Sequence, residues 1–181
     1  MFGKLKLDAA NGPVDISDLE RAEQQIGAKL PLDYKSFLLK FNGGKVIQGL
    51  YITYENQKLG TTKVYPVYLY GVESDVTTSN SDSIQFRVER SAEWLPNHLL
   101  PIARTLGDHM HILISLDDAT YGNIFAVDDQ APFSESELHH LADSFNDFVE
   151  LLEDEPVLSL DEIRARRRDL QEQLKGGSKN N

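Results

Sequence analysis

The residues best placed to do chemistry form the run Gly107-Asp108-His109-Met110-His111, where a carboxylate and two imidazoles lie close in sequence. In a strand, positions i and i+2 face the same side, so His109 and His111 could both bind one metal ion, with His139, His140 or an aspartate completing the set. No second ligand motif lies at a recognised spacing, and no glutamate is placed to activate water as in an HExxH motif. We therefore favour a turn at Gly107, in which Asp108 accepts backbone hydrogen bonds and the histidines lie on an exposed strand face.

Two acidic pairs, Asp117-Asp118 and Asp128-Asp129, could support acid–base chemistry or hold a cation. Each pair follows an apolar run, where aspartate commonly caps a turn, and neither has the one-three-five oxygen spacing of a calcium loop. The chain has no GxSxG nucleophile elbow and no phosphate-binding loop ending in Lys-Ser/Thr. The sequence therefore predicts no catalytic, cofactor-binding or metal-binding residue, and a metal-dependent enzyme using His109 and His111 is the less favoured alternative.

The charge of the chain points to basic partners. Its 181 residues carry 29 Asp and Glu against 18 Lys and Arg, a formal net charge of −11, and residues 1–160 alone carry −13. Such a field repels nucleic acid and anionic membranes and attracts basic proteins. The basic run Arg166-Arg167-Arg168 is interleaved with carboxylates, which favours charge pairs along a helix over contact with nucleic acid. Because cysteine, long apolar runs and a signal-peptide core are absent, we expect a soluble cytoplasmic protein.

Two helices are predicted before residue 45. Ser17-x-x-Glu20 has the pattern of a capping box that opens the first helix, and Gly27 can end it. Pro31 suits the first turn of the second helix. The apolar face of this helix has the i, i+3, i+4, i+7 spacing and consists of Tyr34, Phe37, Leu38 and Phe41. Asn42, Gly43 and Gly44 should end the helix, because Asn and Gly tolerate the left-handed conformation that closes a last turn.

The middle of the chain predicts strands. Residues 46–53 and 63–72 are rich in Val, Ile and Tyr and flank a polar turn near Gly60, which predicts a long hairpin. Pro66 cannot donate to a strand ladder, so its strand is at a sheet edge or bulged there. Tyr68 and Tyr70 fit packing and cross-strand pairing better than a recognition surface, although the second use stays open.

The remaining elements complete an α+β fold. Residues 84–95 fit either a helix or a strand, whereas 99–103, 111–116 and 123–127 read as core strands. Asp143 and Ser144 can cap a last core helix, whose apolar face consists of Phe145, Phe148, Val149 and Leu152. We predict a single domain over residues 1–156, in which a mainly antiparallel twisted sheet is flanked by an N-terminal helical hairpin and a C-terminal helix. A charged helix over 157–175 and a disordered tail over 176–181 should follow.

Four segments, taken in order, resemble the SUKH superfamily of Smi/Knr-type proteins. They are Leu30-Pro31 with the aromatic helix and Asn42-Gly43-Gly44, then 99–103 with Gly107-Asp108, then 122–127, and finally 144–148. The resemblance favours a helix in the ambiguous segment 84–95. The chain departs from the family pattern at residues 105–108, where it has a single glycine and many relatives have two. The motif residues carried over are interpreted as structural: Leu30, Pro31, Tyr34, Phe37, Asn42, Gly43, Gly44, Gly107, Gly122, Ser144, Phe145 and Phe148.

The resemblance implies a non-enzymatic function. SUKH proteins are best known as bacterial immunity proteins, each of which binds and neutralises a toxin domain, often a nuclease. An acidic body suits a basic toxin surface, with association that is fast and sensitive to salt. The residues predicted to contact the partner are acidic or aromatic groups on loops and edges, namely Tyr68, Tyr70, Glu73, Asp75, Asp108, Asp117 and Asp118. A general intracellular regulatory interaction module is the main alternative.

Overall fold

A computed structural model describes residues 2–8, 11–56, 60–73, 81–107, 109–129 and 133–156. The predicted helix over 157–175 and the tail lie outside this part of the chain, as do Asp75 and Asp108. The described residues form an α+β fold with four α-helices: α1 (Ile16–Ile26), α2 (Leu32–Phe41), α3 (Ile84–Ser91) and α4 (Phe145–Leu151). None of these helices is long and apolar enough to cross a membrane.

The ten described strands form two sheets. They are β1 (Leu7–Asp8), β2 (Gly44–Val46), β3 (Leu50–Asn56), β4 (Gly60–Val64), β5 (Pro66–Leu69), β6 (Leu99–Thr105), β7 (Met110–Ser115), β8 (Ile124–Asp128), β9 (His139–Ala142) and β10 (Glu153–Asp154). The large sheet has the order β1-β2-β5-β6-β7-β8-β9, and the small sheet has the order β10-β3-β4. Every neighbouring pair is antiparallel, as the sequence predicts.

The first helix begins two residues earlier than the sequence pattern suggested. The capping box joins Asp15 and Asp18, each carboxylate accepting from the other residue's backbone N–H at 3.0 Å. The predicted box at Ser17 and Glu20 is therefore wrong. Asp15-x-x-Asp18 offers the same acceptor chemistry and extends the helix by two residues, so the earlier start is preferred.

The second helix ends as predicted. Asn42 has a φ of 49°, and its N–H donates to the carbonyl of Leu38 at 2.8 Å. Gly43 follows with a φ of 80°, and a Cβ at this position would lie 2.5 Å from the backbone oxygen of Leu69. Only glycine fits between the helix end and β5, so this motif residue fixes how α2 meets the sheet.

The helices cover one face of the large sheet through aromatic packing. The ring of Phe145 lies 4.9 Å from that of Tyr34 and 4.8 Å from that of Phe37, centroid to centroid, and all three side chains are buried. Ser144 caps α4 as predicted, its hydroxyl accepting from the N–H of Asp147 at 3.0 Å. The predicted apolar faces of α2 and α4 therefore form one core.

The predicted long hairpin is real but bent between the two sheets. β3 pairs with β4 in the small sheet, whereas β2 pairs with β5 in the large one. The two halves separate at residues 47–49 on one side and at Tyr65 on the other. Pro66 lacks an N–H, and the ladder to β6 is bulged between Pro66 and Tyr68. The sequence predicted either a sheet edge or a bulge at Pro66, and the structure shows the bulge. This bend opens a space between the sheets.

The segment that was ambiguous in sequence is α3, capped by Ser83, whose hydroxyl accepts from the N–H of Phe86 at 3.1 Å. The predicted core strands correspond to β6, β7 and β8. β9 was not predicted, because its four residues, His-His-Leu-Ala, are too few to show an alternating pattern.

Candidate functional site

The bend in the hairpin creates a cleft of about 520 Å³ between the two sheets. One wall is β4 with Tyr65, the opposite wall is the turn between β6 and β7, and residues of β3, β8 and β9 close the space between them. We call this space the intersheet cleft. Its lining residues are Tyr54, Asn56, Thr62, Lys63, Val64, Tyr65, Thr105, Leu106, His109, Met110, Asp128, Glu137 and His139.

An aromatic pair joins the two sheets inside the cleft. The ring of Tyr54 stacks on the imidazole of His139 with centroids 4.6 Å apart and planes at 29°. Nε2 of His139 lies 3.3 Å from Nδ2 of Asn56. Burial raises the pKa of Tyr54, so its hydroxyl stays protonated at neutral pH. The pair is an aromatic surface on which a ligand could pack.

Lys63 and Tyr65 are held at the rim of the cleft by Glu155. Nζ of Lys63 lies 3.1 Å from Oε2 of Glu155, and the hydroxyl of Tyr65 donates to the same oxygen at 3.0 Å. Nζ of Lys63 also lies 3.6 Å from the ring centroid of Tyr51. Burial and the neighbouring Glu155 raise the pKa of Tyr65. Glu155 therefore neutralises the cation on this wall, and Asp128 and Glu137 also line the cleft.

The structure does not bring His109 and His111 to one site. β7 begins at Met110, so His109 belongs to the preceding turn, where its Nδ1 lies 3.1 Å from the carbonyl oxygen of Gly107. His111 lies instead beside Trp94, and its Nε2 is 2.9 Å from Oδ2 of Asp129. Among the described residues, no group of three or more His, Asp or Glu side chains is arranged to hold a metal ion. The strand argument for a shared ligand face fails because one of the two histidines is outside the strand.

The predicted partner-contact residues are scattered over the fold. Tyr68 and Tyr70 are only 5% and 0% exposed, which agrees with the packing interpretation, so neither ring is part of the surface discussed below. Glu73 is half-buried and accepts from the hydroxyl of Ser83 at 2.6 Å. Asp117 and Asp118 are exposed in the loop between β7 and β8, where Asp117 accepts from the N–H of Ala119 at 2.9 Å.

The β7–β8 loop forms a second exposed region at the other end of β7 from the intersheet cleft. The hydroxyl of Tyr121 donates to the carbonyl of Lys29 at 3.1 Å, and its side chain is 45% exposed. Lys29 lies in the turn between α1 and α2. Leu32, the first residue of α2, is 81% exposed. Two predicted acidic residues and the partly exposed Tyr121 share this loop, which we call the β7–β8 loop region: Asp117, Asp118 and Tyr121.

A buried carboxylate fixes the turn between α1 and α2. Glu23 is 3% exposed and accepts from Nζ of Lys29 at 2.7 Å and from the N–H of Leu30 at 2.9 Å, and it also pairs with Lys35. Burial alone would raise the pKa of Glu23, but these hydrogen bonds lower it to about 2. The group is charged at neutral pH and is structural, because its oxygens are occupied by the turn itself.

Sequence reasoning missed most of the cleft. Tyr54, Lys63 and Glu137 carry no motif, and they come together only because the hairpin bends and β9 packs against β3. His139 was considered as a metal ligand, and the structure uses it as a stacking partner instead. Of the motif residues, Gly107 borders the cleft in the turn before His109.

Two comparisons with known proteins found similarity over most of the chain. The family model described as "SMI1 / KNR4 family (SUKH-1)" matches residues 13–151. The SPbeta prophage-derived uncharacterized protein YokK of Bacillus subtilis (strain 168) is 27% identical over 156 residues, which cover 77% of this chain and 74% of that protein. The matched region contains all four helices and the whole large sheet except β1.

Proposed function

Since the chain belongs to the SMI1/KNR4 family (SUKH-1), we propose that it is a non-enzymatic immunity protein that binds and neutralises a cognate bacterial toxin domain through an acidic surface. The family match carries this proposal, because it spans the core of the fold and the resemblance associates that fold with toxin neutralisation. The similarity to a prophage-derived protein supports it, since the name places that relative on a mobile element.

The charge of the chain supplies a physical reason for the choice of partner. A net charge of −11 attracts basic proteins and can raise their association rate by roughly 10- to 1000-fold at low salt. Nuclease surfaces that hold phosphate are basic, so a nuclease toxin is the partner that this field suits best. The protein would occupy the nucleic-acid surface of the toxin in the cytoplasm of the producing cell.

Co-expression with a candidate toxin domain from a neighbouring gene tests the proposal. We expect the toxin domain alone to stop growth, and the full chain to restore growth and to inhibit the purified toxin at equal molar amounts. A catalytically dead toxin domain, which should bind without affecting growth, is the control for expression. A stable complex with a housekeeping protein in cells that lack any toxin locus, together with no rescue, would favour a regulatory interaction module instead.

The enzyme alternative has a separate test. Elemental analysis of the purified protein should show no bound transition metal, and the double variant His109→Ala, His111→Ala should bind the toxin as the parent does. Stoichiometric zinc in the parent protein that is absent from the double variant would support the metal-dependent enzyme instead.

A further inference from the structure

The outer edge of β4 presents backbone groups to the intersheet cleft. β4 is an edge strand of the small sheet, paired with β3 on one side. On its other side β6 ends at Thr105, and the chain turns away before β7. Within the described part of the chain, no strand pairs with this edge of β4. Open edges of this kind are where proteins add a strand from another chain.

Two hydrogen bonds establish which residues point outward. The carbonyl of Tyr65 accepts from the N–H of Leu106 at 2.9 Å, so it points away from β3. Backbone groups alternate sides along a strand, so the N–H and C=O of Lys63 and Thr61 point the same way as those of Tyr65. The same assignment follows from β3, because the carbonyl of Gly49 faces Glu155, whose N–H donates to it at 2.7 Å. By alternation Ile52 and Tyr54 then face β4, opposite Val64 and Thr62 in the ladder.

The cleft beside this edge suits the side chains of an extended peptide. Its volume of about 520 Å³ lies within the ordinary range of ligand sites. Leu106, 66% exposed, and Met110 offer apolar contact, and Tyr54 with His139 offers an aromatic surface. Asp128 and Glu137 line the same space, and the chain as a whole carries a net charge of −11. The surroundings therefore favour a segment that alternates apolar and basic side chains.

We propose that the edge of β4 takes an extended basic segment of the partner polypeptide as an added strand, bonded to the backbone of Thr61 and Lys63. This inference rests on the proposed function for the identity of the partner, but the strand edge can be tested without it. A second copy of this chain is the less suitable occupant, because two chains of charge −11 repel each other.

The first experiment uses short peptides as probes. Seven-residue peptides that alternate Val or Thr with Lys are added to the full chain, and amide hydrogen exchange is followed at Lys63. We expect saturating peptide to slow exchange of that amide by at least about tenfold, and matched peptides with Glu in place of Lys to have no effect. Unchanged exchange at Lys63 overturns the proposal, as does equal protection by the Glu peptides. Protection that depends on protein concentration without peptide would show pairing between copies, and this also overturns it.

A set of variants isolates the backbone contribution. Lys63→Pro removes an outward N–H, whereas Lys63→Ala removes the side chain alone. Thr53→Pro removes an outward N–H from the opposite edge of the same hairpin, beyond the two residues that β10 pairs with. We expect Lys63→Pro to bind the Lys peptides at least about tenfold more weakly than Lys63→Ala, with Thr53→Pro unaffected. Circular dichroism of all three variants shows whether the fold is retained. Equal binding by Lys63→Pro and Lys63→Ala overturns the proposal.

The same variants separate this inference from the proposed function. If the wild type neutralises a toxin and Lys63→Pro neutralises it equally well, the strand edge is wrong and the immunity function stands. If the wild type neutralises no toxin while the Lys peptides protect Lys63, the immunity function is wrong and the strand edge stands.

Discussion

The imidazole of His139 stacks on the ring of Tyr54 at a centroid distance of 4.6 Å and joins the two sheets of the fold. Tyr54 belongs to the small sheet and His139 to the edge strand of the large one. The contact lies inside the intersheet cleft, so a contact between the two sheets also forms part of the candidate binding surface.

A double-mutant cycle measures the interaction free energy between these two side chains. Replacing Tyr54 and His139 by Leu, singly and together, should give a coupling free energy of about 0.5–1.5 kcal/mol in chemical denaturation, the range of aromatic pairs. His140→Leu is the matched control, because His140 lies beside Phe125 instead. A cycle of Tyr54 with His140 should show coupling near zero, and equal coupling for the two histidines would contradict a direct contact with His139.

Glycine at position 43 should be indispensable for steric reasons. Gly43→Ala places a Cβ 2.5 Å from the oxygen of Leu69 at a φ of 80°, so either α2 or β5 must move. We expect a loss of more than about 3 kcal/mol in the free energy of unfolding, or no folded protein. Gly27→Ala is the control, because its φ is 78° but no atom of the described residues lies within 4 Å of the added Cβ. It should cost about 1–2 kcal/mol, and equal losses would mean that backbone strain alone explains the glycine at 43.

The part of the fold that could be predicted from sequence is the part that depends on local interactions. The capped end of α2 at Asn42 and Gly43, the helix cap at Ser144 and the apolar strands follow from short-range rules. The start of α1 was misplaced because Asp15 and Ser17 offer competing acceptors two residues apart. Capping by Asp15 and capping by Ser17 differ only slightly in free energy, and the sequence pattern does not show which is lower.

The candidate site was hidden from sequence because long-range geometry creates it. Nothing in the spacing of Tyr54, Lys63 and Glu137 indicates that they line one cleft. Residues 46–72 read as one continuous hairpin, and only the break at 47–49 with the bulge after Pro66 divides it between two sheets. The predicted contact residues included Tyr68 and Tyr70, which lie in an apolar run where no alternation with polar residues shows which side chains are buried.

The buried carboxylate of Glu23 should make stability depend on acid. Its pKa of about 2 is below the ordinary value of 4.5, so the contribution is fully present above pH 4.5 and is lost as the pH falls towards 2. Because Lys29 is exposed to solvent, we expect about 1–3 kcal/mol rather than the full value of the shift.

Urea denaturation of Glu23→Gln across pH 2–7 measures this contribution. The variant should be less stable than the parent at pH 7, and the two should converge as the pH approaches about 2. Glu20→Gln, on the exposed side of the same helix, should track the parent throughout. A constant difference between Glu23→Gln and the parent at all pH values would mean that the loss comes from packing and not from charge.

The exposed carboxylates of the β7–β8 loop region should affect how fast the partner arrives. Replacing Asp117 and Asp118 by Asn removes two negative charges about one strand length from the cleft. At that distance the charges still attract a basic partner, but they do not contact the segment that pairs with β4. We expect the association rate with the toxin domain to fall by about 2- to 10-fold at low salt and to match the parent at high salt, with the dissociation rate unchanged. Lys63→Pro should show the opposite behaviour when it is compared with Lys63→Ala, which loses the same charge, because lost backbone hydrogen bonds speed dissociation. Stopped-flow kinetics at two salt concentrations separates the cases, and a faster dissociation for the double Asn variant would place the loop in the interface itself.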